Sequence, residues 1–281
     1  MMRSLSIGNI INVSLKIYLH RLKQYLLLAL TAHLWLLVPI YGWAKFAAIS
    51  ATISRLVLGE LLDQRESFPL VRNEVNRQMW LLLISNILVT VISFGAAILA
   101  FLLLFIVILI VIIVVVIFLA LLQVTSISNT QIPYWIGLSL AMLFYLLTPL
   151  AILWVYSRLF ITELPLVIEN NMNAVKTIKR SWQLTKKMLQ QIQGVMAIAF
   201  LVTLPLLGID FILLRLAAFI LRILPLSDSN YYMASYYILA IIILFNGIIC
   251  MPFWQATKAV LYYDLKSRKE GFDLQVNNLT N

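Results

Sequence analysis

Two carboxylates, Glu163 and Glu169, flank a Leu-Pro-Leu sequence and are close enough in the chain to suggest acid–base chemistry. No nucleophile or metal ligand accompanies them in the sequence, so we interpret them as a solvated junction, with Glu169 stabilising the start of the next helix. The two histidines, His20 and His33, have no cysteine or carboxylate at ligand spacing. We therefore expect no metal site, no cofactor and no catalytic residue.

Three polar residues, Asn86, Asp210 and Asn246, interrupt strongly apolar sequence. A charge at the centre of a bilayer costs about 2.5–3.5 kcal/mol on insertion scales, so such residues are candidate sites. We interpret the asparagines as interhelical hydrogen-bond partners. After Asp210, Arg215 and Arg222 predict a segment at the outer interface whose guanidinium groups reach the head groups. The alternative is a transporter-like cavity lined by Asn86, Asn246 and Asp210.

Composition identifies the kind of protein that must position these residues. Of 281 residues 63% are hydrophobic and 11% are charged, and the mean hydropathy is +0.98. Soluble domains are roughly 45–50% apolar and about 25% charged. We therefore predict an all-α polytopic membrane protein. The net charge of +10 is typical of cytoplasmic loops that contact anionic lipid, so we expect no nucleic-acid partner.

Six apolar segments predict about six transmembrane helices. They are 25–43, 44–62, a segment that starts at residue 80, 134–156, 194–207 and 236–254. Segment 80–122 has no charge in 43 residues, which is about 65 Å as one helix against a hydrocarbon core of about 30 Å. It crosses once if 44–62 spans the membrane, and twice if 44–62 does not.

The distribution of basic residues favours a single crossing. That arrangement places 18 of the 21 Lys and Arg residues inside, against 14 when 80–122 crosses twice. A double crossing also needs a turn at 101–104, where the sequence has no turn residue. Both arrangements put the two termini in the cytoplasm.

The predicted divisions of this single membrane domain are an amphipathic helix (4–24), a helical hairpin (25–62), a cytoplasmic loop (63–79), spans three and four (80–157), a basic cytoplasmic segment (158–192), spans five and six (193–256) and a cytoplasmic tail (257–281).

Two basic segments have apolar residues at helical spacing. In the longer one the apolar positions are Val175, Ile178, Trp182, Thr185, Leu189 and Ile192, after an N-cap at Asn173. A shorter stripe follows an N-cap at Ser6. Such helices lie in the membrane interface. The candidate residues for binding lipid or a partner are Lys16, Arg21, Lys23, Lys176, Lys179, Arg180, Trp182, Lys186 and Lys187.

Two stretches resemble the membrane-domain family of glycerophosphoryl diester phosphodiesterases. They are Glu-Leu-Pro…Ile-Glu-Asn-Asn…Ile-Lys-Arg-Ser-Trp-Gln-Leu-Thr-Lys within 163–186 and Pro-Phe-Trp-Gln-Ala…Tyr-Tyr-Asp-Leu…Arg-Lys-Glu-Gly within 252–271. The resemblance implies a six-helix bacterial membrane domain whose segment 158–192 is cytoplasmic. Some relatives carry a separate catalytic barrel, but a barrel of about 250 residues does not fit beside these spans. The phosphodiesterase residues have no counterpart here.

These observations, together with the bacterial origin that the resemblance implies, predict a non-enzymatic multi-pass protein of a bacterial inner or other internal membrane. Its expected role is that of a scaffold or membrane-organising protein, and its expected partners are anionic phospholipids or another membrane protein. One alternative is a transporter or permease-like subunit for a lipid or amphiphile. The other is a lipid head-group enzyme that would use Glu163, Glu169 or Asp210.

Overall fold

A computed structural model describes residues 5–64, 66–121, 137–139, 142, 149–150, 152–224 and 227–271. Within these ranges the chain is all helical and contains no strand. Contacts divide it into two compact units, one formed by Met1–Asn86 with Leu159–Asn281 and the other by Ile87–Arg158. All of the ion pairs described below belong to the first unit.

Most of the helices with described bounds are joined by short connections, and residues 152–159, between α5 and α6, are also helical. They are α1 (Ile7–His20), α2 (Leu22–Trp35), α3 (Tyr41–Leu61), α4 (Phe68–Arg77), α5 (Met79–Leu121), α6 (Glu163–Ile168), α7 (Ala174–Thr185), α8 (Leu189–Ile223) and α9 (Asp228–Glu270). The predicted N-caps are present, because Ser6 accepts a hydrogen bond from the Asn9 amide and Asn173 accepts one from the Lys176 amide. Gly271 ends α9 in the left-handed conformation.

Three helices in the described ranges are long and apolar enough to cross a membrane. They contain the segments Met79–Val115, Leu189–Ile223 and Asp228–Glu270. These helices confirm the prediction of an all-α protein with helices that can span a membrane. About half of the predicted span 134–156 lies outside the described residues.

The N-terminal hairpin differs in detail from the prediction. Segment 25–43 is not one helix, because α2 has 14 residues, about 21 Å, and the chain turns at 36–40, where Ile40 has a positive φ of 63°. Segment 44–62 lies almost entirely within α3, and most of its side chains are buried by protein. The turn brings two backbones together, since a Cβ on Gly42 would lie 1.7 Å from the Trp35 carbonyl oxygen.

Helix α5 is continuous from Met79 to Leu121. No turn interrupts it at 101–104, where a double crossing requires one. Most of its large side chains from Phe101 to Ile117 are exposed, as expected for a surface that faces lipid. The described segment is therefore one helix of 43 residues, about 65 Å long.

Helices α8 and α9 extend beyond the predicted spans 194–207 and 236–254. The segment after Asp210, predicted to lie in the outer interface, is the C-terminal part of α8, which continues past Pro205 and ends at Ile223. The predicted tail beyond 256 is instead helical to Glu270 and is among the most deeply buried parts of the protein. Small side chains on the facing helix α3 (Ala44, Ala47, Ala48 and Ala51) are buried and permit close packing of helices.

Candidate functional site

The C-terminal half of α9 carries a row of polar residues on one face. Lys258, Tyr262, Lys266 and Glu270 recur every four residues, which places them one above another on a helix. Many of the surrounding positions of α9 are buried, and most of the buried ones are apolar. This row meets the carboxylates of Glu163, at the start of α6, and of Glu169, just after its end.

Glu169 is the centre of the larger ion cluster. Its carboxylate accepts hydrogen bonds from Arg180 Nε at 2.9 Å and from the Tyr262 hydroxyl at 2.8 Å. Lys266 Nζ lies 3.2 Å from Glu169 Oε1 and also donates to the Tyr262 hydroxyl oxygen. Arg180 in turn pairs with Glu270 at 2.6 Å. These five residues, which we call the α9 clamp, join α7 to the end of α9.

The cations of the α9 clamp determine the ionisation of Glu169. Burial alone would raise the pKa of this carboxyl group. Hydrogen bonds from Arg180 and Tyr262, together with the charge and hydrogen bond of Lys266, outweigh burial and hold the pKa below its ordinary value. Glu169 is therefore an ionised anchor at neutral pH and is poorly suited to act as a general base.

Glu163 forms a second, more deeply buried pair. Its side chain is 7% exposed, and Glu163 Oε1 lies 3.1 Å from Lys258 Nζ. Ser54 donates to the side-chain oxygen of Gln255 at 2.8 Å beside this pair. Interpreting Glu163 as part of a solvated junction was therefore wrong, because α6 places this carboxylate against α3 and α9 rather than in solvent.

Asp264 connects the N-terminus of the described chain to α8 and α9. It is 3% exposed, and its carboxylate accepts hydrogen bonds from the Leu5 amide at 2.9 Å and from Gln191 Nε2 at 3.0 Å. Arg268 pairs with it at 2.9 Å and also donates to the Leu5 carbonyl. A buried carboxylate therefore holds the residue that precedes α1, although the sequence analysis placed Asp264 in a C-terminal tail.

The carboxylates of these clusters are arranged for holding helices together. Glu163 and Glu169 contact Lys258 and Lys266, which are two turns apart on α9, about 12 Å along its axis. Each carboxylate is occupied by a cation of the protein. The geometry gives the two glutamates separate anchoring roles and does not converge them on a common reacting atom.

Helix α7 buries mostly small side chains and leaves two large apolar side chains exposed. Its buried side consists of Ala174, Thr177, Ser181, Leu184 and Thr185. Val175, Lys179, Trp182 and Lys186 project outward along one stripe, which we call the outer face of α7. Val175 is 68% exposed and Trp182 is 37% exposed. The predicted apolar stripe thus leaves its first and third members outside the protein core.

Some of the basic candidates are paired with other groups of the protein, and the others are exposed. Arg180 differs from the other candidates, because its guanidinium pairs with Glu169 and Glu270. Arg21 pairs with Glu60 at 3.3 Å, and Lys176 donates to the Asn171 carbonyl at 3.4 Å. The other basic candidates are exposed, namely Lys16, Lys23, Lys179, Lys186 and Lys187.

Two of the three intramembrane polar candidates meet. Asn246 donates to Asp210 at 2.5 Å between α9 and α8, and the Cys250 thiol lies 2.9 Å from the Asn246 side-chain oxygen. This is the interhelical hydrogen bond expected of Asn246, with Asp210 as the partner that the sequence did not identify. Asn86 is exposed on α5.

Sequence reasoning missed the α9 clamp although a signal for it was present. Polar residues that recur every four positions mark a polar stripe on a helix, and segment 163–180 contains residues of opposite charge that could pair with it. Because the residues after 256 were interpreted as a tail, no helix was predicted there, and the four-residue spacing was not recognised as one helix face. Comparisons with family models, curated proteins and solved structures find no match to this chain.

Proposed function

We propose that this protein is a multi-pass membrane protein without catalytic activity that uses the outer face of α7 to hold anionic phospholipid or a protein partner, in a scaffold or membrane-organising role. The observation that carries the proposal is the pairing of two lysines with an exposed tryptophan and valine on a single stripe. Aromatic and aliphatic side chains that alternate with basic ones suit the boundary between head groups and acyl chains.

The attachment of α7 supports this role because it fixes the direction of the stripe. Arg180 binds both Glu169 and Glu270, and the Thr177 hydroxyl donates to the Thr162 carbonyl at 2.6 Å. Lys269 donates to the Gln183 carbonyl. A helix held at several points loses little freedom when its outer face meets a surface, so binding there costs little ordering entropy.

The charge of the region supports an anionic ligand. Lys179, Lys186 and Lys187 are exposed within nine residues of one another. Each basic residue near an anionic membrane surface contributes about 1 kcal/mol. Three such residues favour anionic over neutral lipid by about 3 kcal/mol, or about 100-fold.

The proposed setting is a bacterial inner membrane crossed by about six helices, with both termini and 158–192 in the cytoplasm. Three helices of sufficient length and apolarity support the multi-pass arrangement. The resemblance to the membrane-domain family stays a proposal. What supports it is that Glu169, Arg180 and Glu270, which stand in the resembling stretches, hold one another in the α9 clamp.

The test is the depth of the outer face in a bilayer of known charge. Cys250 is the sole cysteine, so Val175→Cys in a Cys250→Ser background accepts a single environment-sensitive fluorophore. In proteoliposomes that contain phosphatidylglycerol, we expect quenching of this label by lipids with a spin label near the head group. The changes Lys179→Glu and Lys186→Glu should weaken the quenching because they repel the surface.

The matched control is Arg222→Glu, which reverses one exposed charge at the far end of α8 and should leave the signal unchanged. Equal quenching in phosphatidylglycerol and in phosphatidylcholine, unaffected by the lysine changes, would contradict the proposal. A label that is quenched in neither lipid would show that the outer face meets water or protein instead.

A further inference from the structure

Helices α2, α3 and α4 enclose a groove that the proposed function does not use. Its volume is about 380 Å³, within the ~300–1,000 Å³ of typical ligand sites. The α2 wall extends from Gln24 to Trp35, about 16 Å along the helix, and is mainly leucine. The groove is therefore long, narrow and apolar on this side.

The opposite wall is polar and basic. Phe68, Arg72 and Asn76 line the groove from α4 at four-residue spacing, so they share one face of that helix. Within the described part of the chain, the Arg72 guanidinium has no hydrogen-bond or ion-pair partner. The Asn76 side-chain oxygen accepts a hydrogen bond from Lys45 at 3.4 Å, so the N–H groups of the same amide remain as donors for a ligand.

The charge of the lining selects the sign of a ligand. The lining residues include one arginine and no carboxylate. Glu74, on the same helix as Arg72, is committed to Arg55 at 2.6 Å and does not line the groove. An anion at Arg72 would therefore meet a cation that no neighbouring carboxylate in the lining neutralises.

The shape selects an amphiphile with a chain. Leu27, Leu30 and Leu34 line the groove and are 41–56% exposed, so the apolar wall continues onto the outer surface of α2. A free inorganic anion would leave that wall in water. A fatty acyl chain would cover it while its head group reached Arg72.

We propose that this groove binds one anionic phospholipid, with an acyl chain against the leucines of α2 and the head-group phosphate at Arg72 and Asn76. The site is separate from the outer face of α7 and involves different helices. It is a discrete site for a single lipid and does not require the surface contact proposed above.

The test measures lipid retained by the full chain in detergent, by native mass spectrometry after delipidation. Lys179→Glu and Lys186→Glu are present in every sample, so loss of surface binding at α7 cannot be mistaken for loss of groove binding. The probes are phosphatidylglycerol and phosphatidylcholine with identical chains, and inorganic phosphate as competitor. We expect phosphatidylglycerol to bind about fivefold more tightly than phosphatidylcholine, the factor that one basic residue supplies.

Two variants and two controls locate the bound lipid. Arg72→Gln should remove the preference for phosphatidylglycerol, whereas Arg77→Gln, on the same helix but outside the lining, should preserve it. Thr31→Phe should fill the groove and lower retention of both lipids, whereas Leu37→Phe, outside the groove, should not. Because these four side chains are exposed, the variants should fold.

Three results would overturn the proposal. The first is equal binding of the two lipids, which would remove the role of Arg72. The second is unchanged retention in Thr31→Phe, which would place the lipid elsewhere. The third is displacement of phosphatidylglycerol by an equal concentration of inorganic phosphate, which would indicate an anion site in which the acyl chain takes no part.

Discussion

Replacing Glu169 with glutamine should loosen α7 from the bundle. The substitution keeps the shape of the side chain but removes the charge that Arg180 and Lys266 share. Breaking a buried ion pair by removing one partner costs about 3–5 kcal/mol, because the other charge stays buried. Two features reduce that figure here: the Glu169 side chain is 15% exposed, and Arg180 keeps Glu270. We therefore expect a loss of about 3 kcal/mol.

The measurement is thermal unfolding of the full chain in mild detergent, followed by fluorescence-detected size exclusion. At about 2–4 °C per kcal/mol for a chain of this size class, Glu169→Gln should lower the midpoint by about 6–12 °C. The matched control is Glu66→Gln. It makes the same chemical change at a carboxylate that is 44% exposed and pairs with Arg55 at 2.9 Å, where Glu74 can compensate. Exposed pairs contribute about 0–1 kcal/mol, so the control should shift little.

A second variant separates the ion pair from a general packing defect. Glu169→Gln combined with Arg180→Gln removes the uncompensated guanidinium, so the double variant should lose at least about 1 kcal/mol less than the two single losses added together. Strict additivity would refute the reasoning, and so would equal effects of Glu169→Gln and Glu66→Gln. Either result would mean that α7 is held by its apolar contacts and not by the α9 clamp.

The sign of the pH dependence follows from the lowered pKa of Glu169. A carboxyl group whose pKa is lower in the folded protein binds fewer protons there than when unfolded. Its stabilisation is complete above the ordinary value of 4.5 and is lost as the pH falls through the folded value. The difference in stability between the wild type and Glu169→Gln should therefore be largest at neutral pH and shrink in acid.

The remaining predictions concern packing, topology and the cluster at Asp264. Gly42→Ala should unfold or severely destabilise the α2–α3 hairpin, because its Cβ would overlap the Trp35 carbonyl. Gly95 has open space around it, so Gly95→Ala should be neutral or stabilising by up to about 1 kcal/mol. The expression level and the thermal midpoint of the two variants compare these effects. In a Cys250→Ser background, an impermeant thiol reagent applied outside cells should label Ser227→Cys but not Gln64→Cys or Lys187→Cys; labelling of Gln64→Cys would indicate that 80–122 crosses twice. Asp264→Asn should increase proteolysis of the chain before α1, because the side chain that binds the Leu5 amide and Arg268 loses its charge. If cleavage is unchanged, the packing of α1 alone holds this part of the chain in place.

Hydrophobic pattern and local capping were sufficient for much of the fold. The caps at Ser6 and Asn173 and the apolar character of 80–121 depend on neighbouring residues, and the structure agrees with them. Helix ends within long apolar stretches were harder to predict from the sequence. Neither Pro205 nor Pro252 ends its helix, and the polar run after 256 continues α9 because other helices surround it. That burial is a tertiary effect that no local window contains.

The division of charges also depends on tertiary contacts. Lys179 and Arg180 are adjacent in the sequence and similar in kind, yet one projects outward from α7 and the other enters the α9 clamp. The 100° rotation between neighbouring helix positions separates them, but only the placement of Glu169 and Glu270 decides which position is internal. Counting basic residues could therefore predict a cytoplasmic surface without predicting which of its cations a ligand could reach.

The same distinction explains how a largely apolar protein can present a defined surface. Four inward cations of the first unit have a carboxylate partner within 3.3 Å: Lys258 has Glu163, Lys266 and Arg180 have Glu169, and Arg268 has Asp264. These pairs hold α6, α7 and α9 in one arrangement without leaving a buried charge unmatched. The outward lysines of α7 and Arg72 of the groove have no such partner among the described contacts. An anionic lipid would supply the missing negative charge, so the pattern of pairing inside the protein points to both proposed binding surfaces.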